Sequence, residues 1–475
     1  MTDKRENCGK SENKEDAVTE WRQIFAVLIG ALTSLSASIL FNWTSPTIPI
    51  LLEDKTLNID IEMASWLTMI PPLASLLAAP IYGFVLDRIG RKWCLISAGL
   101  LHVGAWLCVI FSSSLNILYL SRALFGCADA SLFGVLPVYI SEVTTPKVRG
   151  RWGNLMGFFM YFGGVIMNTI GHFLNIKTSA YILICIPILF LIIFMFIPET
   201  PYYYLMKGKP EEAEKSLRWL RNSKNVGNEF IQLTADVNRQ LSETGTWMDC
   251  IQIKSNRNAI FIVGLGRALQ QWAGISAFAV YNQYIFQEAG SSLDKGYSSI
   301  IYTSILSIAN FLALLYTDKI GRKIPMVISC IGCSFFLATE AVYFFLRDFN
   351  VVDMSGISWF PIVGMILYII SFSAGLGLIP ILLLSELFST SIRSKASTIM
   401  TILFGIYLTA CTKLFQFLSS NYGMGTPFAL FSVCTFGGIF LSHIYIPETK
   451  GKTLEEIQQM LKGQKVEKQV ISSIT

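Results

Sequence analysis

Twelve apolar stretches, near residues 24–46, 63–85, 93–112, 117–140, 153–172, 179–197, 257–285, 297–317, 324–346, 357–384, 394–418 and 427–446, constrain this chain more than any other feature. A helix rising 1.5 Å per residue needs about 20 residues to cross roughly 30 Å of hydrocarbon. Lipid offers no partner to backbone N–H and C=O groups, so such stretches must be helical, and the prolines and glycines inside them are tolerated there. Apolar residues make up 53% of the 475 residues and charged ones 15%, too few to clothe a water-soluble body of that size. The expected fold is an all-α membrane protein of twelve transmembrane helices in two six-helix halves.

The expected order is an N-terminal tail (1–23), a first bundle (24–197), a polar linker with short helices (198–256), a second bundle (257–446) and a C-terminal tail (447–475). An even number of crossings puts both termini on one side. Arg88, Arg91, Lys92, Lys147, Arg149, Arg151, Lys319, Arg322, Lys323, Arg393 and Lys395 fall on that side; the other has little beyond Lys55, Lys177, Lys295 and Arg347. By the positive-inside rule both termini are cytoplasmic. The first stretch follows a mixed-charge tail without a cleavage site and reads as a retained span. Within the linker, PEEAEKSLRWLRN at 210–222 starts on proline and two glutamates and ends on basic residues, which predicts a helix.

Several functions are disfavoured. Eight of the ten cysteines lie inside apolar runs without ligand spacing, so no metal or cofactor is expected. His102, His172 and His443 stand apart and share no catalytic spacing, which argues against an enzyme. The basic residues form no patch interleaved with aromatics, so no nucleic acid is expected. No ring of like charge or carbonyl filter suggests a channel.

The chain also repeats itself. DRIGRK at 87–92 returns as DKIGRK at 318–323, Glu142 with Arg149 returns as Glu386 with Arg393, and PET at 198–200 returns at 447–449. Each half thus carries Asp87, Arg88, Gly90, Arg91, Lys92, Glu142, Arg149 and Arg151, or Asp318, Gly321, Arg322, Lys323, Glu386 and Arg393. Gly90 and Gly321 permit tight turns, and the ion pairs are expected to close a cytoplasmic gate in one state and break in the other.

These motifs, with Arg122, Pro137, Tyr139, Gln270-Gln271, Gly274-Ile275 and the closing PETKG, resemble the major facilitator superfamily. Within it the chain is similar to the sugar porters, above all insect facilitative transporters of the trehalose type. The resemblance covers residues 21–460 and implies uncoupled transport of trehalose or a hexose by alternating access, in the plasma membrane. A sugar and the bilayer are the expected partners; the oligomeric state stays open, a monomer being compatible with this reading. It implies substrate contacts at Gln270 and Gln271; Ser276 stands where the family has an asparagine, and Tyr281, Asn282 and Trp272 are this chain's own candidates to compensate.

The family's other amides are replaced here by Gly157, Ser276, Leu306 and Phe404, which makes the pocket more apolar. A non-sugar solute, a proton-coupled symporter and a non-transporting sensor therefore stay open. Asp129, seven residues after Arg122 on one helix face, is a carboxylate at membrane depth and a functional candidate, as is Arg122. Glu340 and Lys413 are the other charges read at that depth.

Overall fold

A computed structural model describes residues 20–53, 59–153, 155–223, 225–242, 246–290, 293–349, 355–388, 390–450, 452 and 454–462. The fold is all-α. Among the described residues nine helices are long and apolar enough to cross a membrane, among them Ile61–Ile89, Arg91–Ile110, Leu115–Val143, Lys323–Asp348 and Gly425–Tyr445. Large apolar side chains such as Leu77, Phe84, Leu100, Phe335 and Val433 are exposed on them, as a lipid-facing surface requires.

The other three expected stretches differ from a long uniform helix for visible reasons. Leu155–Phe173 is diluted by glycines and by Asn168, Thr169 and His172. The stretch after residue 254 is broken into Lys254–Trp272, Ile275–Val280 and Asn282–Glu288. Its break falls at Gly274, φ 88°, where a β-carbon would strike Phe278 and Phe431. Phe360–Ser373 stops at a glycine-rich turn and resumes as Ile379–Leu387.

The polar connection folds into Pro201–Met206, Pro210–Arg221, Gly227–Ser242 and Trp247–Gln252. Pro210–Arg221 carries Glu211 and Glu212 in its first turn and Arg218 and Arg221 in its last, and a left-handed Asn222 ends it. This connection divides the chain into a first and a second part. The two pack along Ile61–Ile89 against Thr390–Tyr422 and along Leu155–Phe173 against Lys295–Ile320.

Candidate functional site

The packing of the two parts leaves a cavity of about 150 Å³ between them. Ser38, Asn42, Asp129 and Tyr161 line it from the first part, and Arg267, Gln270, Gln271, Ser276 and Thr303 from the second. Phe133 and Phe404, in tilted contact at 5.7 Å between centroids, give it an apolar wall. Polar groups reach it from uninterrupted helices at Ser38, Asn42, Asp129, Tyr161 and Thr303, and from beside the Gly274 break at Gln270, Gln271 and Ser276. Gln270 Nε2 donates to the carbonyls of Leu376 (2.9 Å) and Gly377 (3.1 Å), which the glycine-rich turn releases from helical bonding.

The expected substrate contacts separate into two groups. Gln270, Gln271 and Ser276 line the cavity. Gln271 Oε1 accepts from Ser276 Oγ at 2.6 Å, and its amide nitrogen has no hydrogen bond among the described residues. Gln270 is already engaged at both ends, since its Oε1 accepts from Arg267 at 3.0 Å. Trp272, Tyr281 and Asn282 do not line the cavity. Trp272 packs against the core, while Tyr281 and Asn282 are buried beyond the Gly274 break. The Tyr281 hydroxyl meets Thr68 Oγ1 at 3.2 Å, a contact between the two parts.

Arg122 and Asp129 share a helix but not an environment. Arg122 is fully buried away from the cavity, donating to the Leu40 carbonyl (2.6 Å) under the Trp43 ring (4.6 Å). Asp129 opens into the cavity. Lys413 Nζ donates to Gln416 Oε1 (2.9 Å) and Ser65 Oγ (3.4 Å), and Glu340 is buried against Gly364. The sequence reading passes over Arg267, although a cation inside an apolar stretch, one helical turn before a glutamine pair, is a signal in plain view.

The repeated charged residues form two similar clasps on the face that carries DRIGRK. Arg91 Nε donates to Glu142 (3.0 Å) and its Nη1 to Asp87 (3.2 Å), and Thr200 Oγ1 donates to the second Glu142 oxygen. The Glu199 carboxylate caps the Arg91–Ile110 helix by accepting from Lys92 N at 2.9 Å. In the second part Arg322 pairs with Glu386 (2.8 Å), Thr449 donates to Glu386, and Glu448 accepts from Arg322 N (3.0 Å) and Lys323 N (3.2 Å). Gly90 (φ 98°) and Gly321 (φ 99°) turn the chain where a β-carbon would strike Glu199 and Glu448.

Burial pushes the Glu199 carboxyl up, against backbone N–H bonds from Thr200 and Lys92 and the charge of Arg91. Burial also pushes up on Glu448, but it is weaker there, and N–H bonds from Lys450, Arg322 and Lys323 hold this carboxyl below its ordinary value. Arg88 lies over the Phe84 ring (4.0 Å), Arg149 donates to the Ser141 carbonyl (2.8 Å), and Arg151 is exposed. Asp318 and Arg393 lie outside the described side chains.

A family model described as "Sugar (and other) transporter" matches residues 8–461. The chain is 31% identical over 458 residues to the facilitated trehalose transporter Tret1 of Apis mellifera ligustica, covering 95% of this chain and 90% of that one. To the Bombyx mori protein of the same name it is 31% identical over 443 residues, covering 93% and 87%. Among solved structures it is similar to the proton:xylose symporter XylE bound to 6-bromo-6-deoxy-D-glucose, with TM-score 0.75, 21% identity and coverage of 93% and 100%. A second, XylE from E. coli in an inward open conformation, gives TM-score 0.73 and 20% identity over 92% and 99%.

Proposed function

The chain belongs to the sugar transporter family of membrane carriers, and from that premise we propose that it moves a sugar through the plasma membrane by facilitative alternating access. In this reading two six-helix bundles, 24–197 and 257–446, rock about the cavity between them, with 198–256 as a cytoplasmic linker and both tails, 1–23 and 447–475, cytoplasmic. The observation that carries it is the cavity, lined from both parts and flanked by two interrupted helices whose freed amides and carbonyls suit hydroxyl groups. Gln271 and Ser276 are the proposed substrate contacts of the state described, with Gln270 as their support. Tyr281 and Asn282 would meet substrate when the opposite face opens. The relatives named facilitated trehalose transporters support trehalose or a hexose as cargo.

Alternating access also gives the clasps a role. Every described ion pair on the DRIGRK face stays within one part or within the polar connection. On the opposite face described bonds join the two parts, Lys295 to Glu53, Tyr281 to Thr68 and Lys413 to Ser65, and this supports an inward-facing state with the outer side closed. Closure of the inner side would then bring the clasps of the two parts against each other.

Proton coupling is the second reading, favoured by one observation: Asp129 lines the cavity and has no hydrogen-bond or ion-pair partner among the described residues. Uptake of labelled trehalose, glucose and fructose into proteoliposomes tests both readings. Saturable uptake that a proton gradient leaves unchanged, and that Gln271→Ala weakens by about tenfold, is the expected result. Uptake driven by the gradient moves the function to symport, and no uptake by folded protein removes transport of these sugars altogether.

A further inference from the structure

Arg267 is a charge that a carrier of neutral sugars does not require. It is 8% exposed, yet it lines the cavity. Of its five N–H groups one has a described hydrogen bond, to Gln270, and Nε is buried without a partner. Its guanidinium packs on the Phe404 ring at 5.1 Å. A buried cation without a counter-charge is expensive to hold.

Two comparisons inside the molecule sharpen the point. Arg91 and Arg322 are similarly buried, and each holds a carboxylate, Glu142 or Glu386. Arg122 is also buried without a carboxylate, its Nε and Nη2 unpartnered among the described residues, but it sits outside the cavity between the Leu40 carbonyl and the Trp43 ring, so what sets Arg267 apart is that its charge opens onto the cavity. At Arg267 no described side chain supplies a carboxylate. Gln270, itself tied to the carbonyls of Leu376 and Gly377, fixes the guanidinium without neutralising it.

We propose that Arg267 is a specificity-determining residue that takes a carboxylate of the transported solute, so that the preferred cargo is a sugar acid rather than a neutral hexose or trehalose. This proposal rests on the transport reading above. Guanidinium and carboxylate match in a planar, two-bond geometry that a neutral hydroxyl does not offer. Asp129 lines the same cavity from the first part of the chain. A carboxylate there accepts hydrogen bonds, so it suits the hydroxyl end of such a solute while Arg267 holds the acid end. A solute bridging the two ties the first part to the second, which favours the occluded state on the way between faces.

The test compares labelled glucuronate, glucuronamide and glucose in the same proteoliposomes, with alanine as a carboxylate lacking the polyol. Glucuronamide keeps the shape and removes the charge, so the wild-type protein alone gives the first readout. A preference of about tenfold or more for glucuronate over glucuronamide is expected, the worth of one hydrogen bond to a charged group. Arg267→Gln should bring that ratio close to one, and Arg267→Lys should restore part of it. Equal uptake of the acid, the amide and glucose overturns the inference and leaves sugar transport standing. Uptake of alanine without glucuronate overturns it in favour of an amino acid, and no uptake of any solute overturns the transport reading as well.

Discussion

The two faces of the molecule use charge in opposite ways. On the face with the duplicated motif, buried pairs close within a part: the side chains of Arg91 and Glu142 are 4% and 9% exposed, and those of Arg322 and Glu386 are 9% and 23% exposed. On the opposite face the ion pairs that join the two parts are wetter. Lys295 meets Glu53 at 2.9 Å with that carboxylate 62% exposed, and His172 meets Asp294 at 3.6 Å. A buried pair is costly to break and an exposed one is worth about 0–1 kcal/mol. The difference teaches that the buried pairs stiffen each part internally, while the ion pairs that join the two parts are individually weak.

The largest way to break this contrast is to unpair a clasp. Glu142→Ala leaves Arg91 buried without its main carboxylate and should cost about 3–5 kcal/mol in reversible unfolding in detergent. Glu386→Ala should cost less, because its site is more open to water; equal losses would remove the distinction between the parts. Next come the turns. Gly90→Ala and Gly321→Ala force a β-carbon onto a carboxylate at positive φ, and each should lose about 1–3 kcal/mol in the same assay.

Glu53→Gln and Tyr281→Phe sharpen the other side of the comparison. Glu53→Gln should change unfolding by under about 1 kcal/mol and Tyr281→Phe, which removes a buried hydrogen bond, by about 1 kcal/mol, while both shift spin-label distances between the two parts toward opening of that face. Unchanged distance distributions would mean these links do not hold that face shut.

The smallest effect is in pH. Glu199 has a raised carboxyl, so its contribution to stability is complete below the ordinary value of 4.5 and is lost as pH rises through the raised value. Glu448 is lowered, so its contribution is present above 4.5 and is lost as pH falls below it. Melting curves of Glu199→Gln and Glu448→Gln across pH should therefore lose slopes of opposite sign. Slopes of the same sign would show that burial does not separate the two repeats.

Much of the fold was legible because lipid imposes a simple rule on composition: apolar stretches of the right length, basic residues gathered between alternate ones, and a motif that recurs at matching places. The repeated PET was visible too, but not its task. Glu199 lies 107 residues from the Lys92 amide it caps, and no local pattern announces such a partner. The glutamine pair was legible as a site candidate, yet its partners were not. Tyr281 and Asn282 follow it along the chain but are buried beyond the break at Gly274, off the cavity, with the Tyr281 hydroxyl on Thr68 of the first part. Arg267 was readable as a cation inside an apolar stretch, but whether a carboxylate meets it depends on helices far away in the chain.

The sequence by itself determined that this chain lives in a membrane as helices, that its charged motifs come in two copies, and that it has the family's glutamines without most of the family's other amides. Only the tertiary structure decided which carboxylate each arginine meets, which of two adjacent glutamines is already occupied, and that Arg267 and Asp129 line one cavity. The physical reason is range. Burial in lipid acts on each residue where it stands, whereas a hydrogen bond or an ion pair exists only once helices far apart in the chain have packed together.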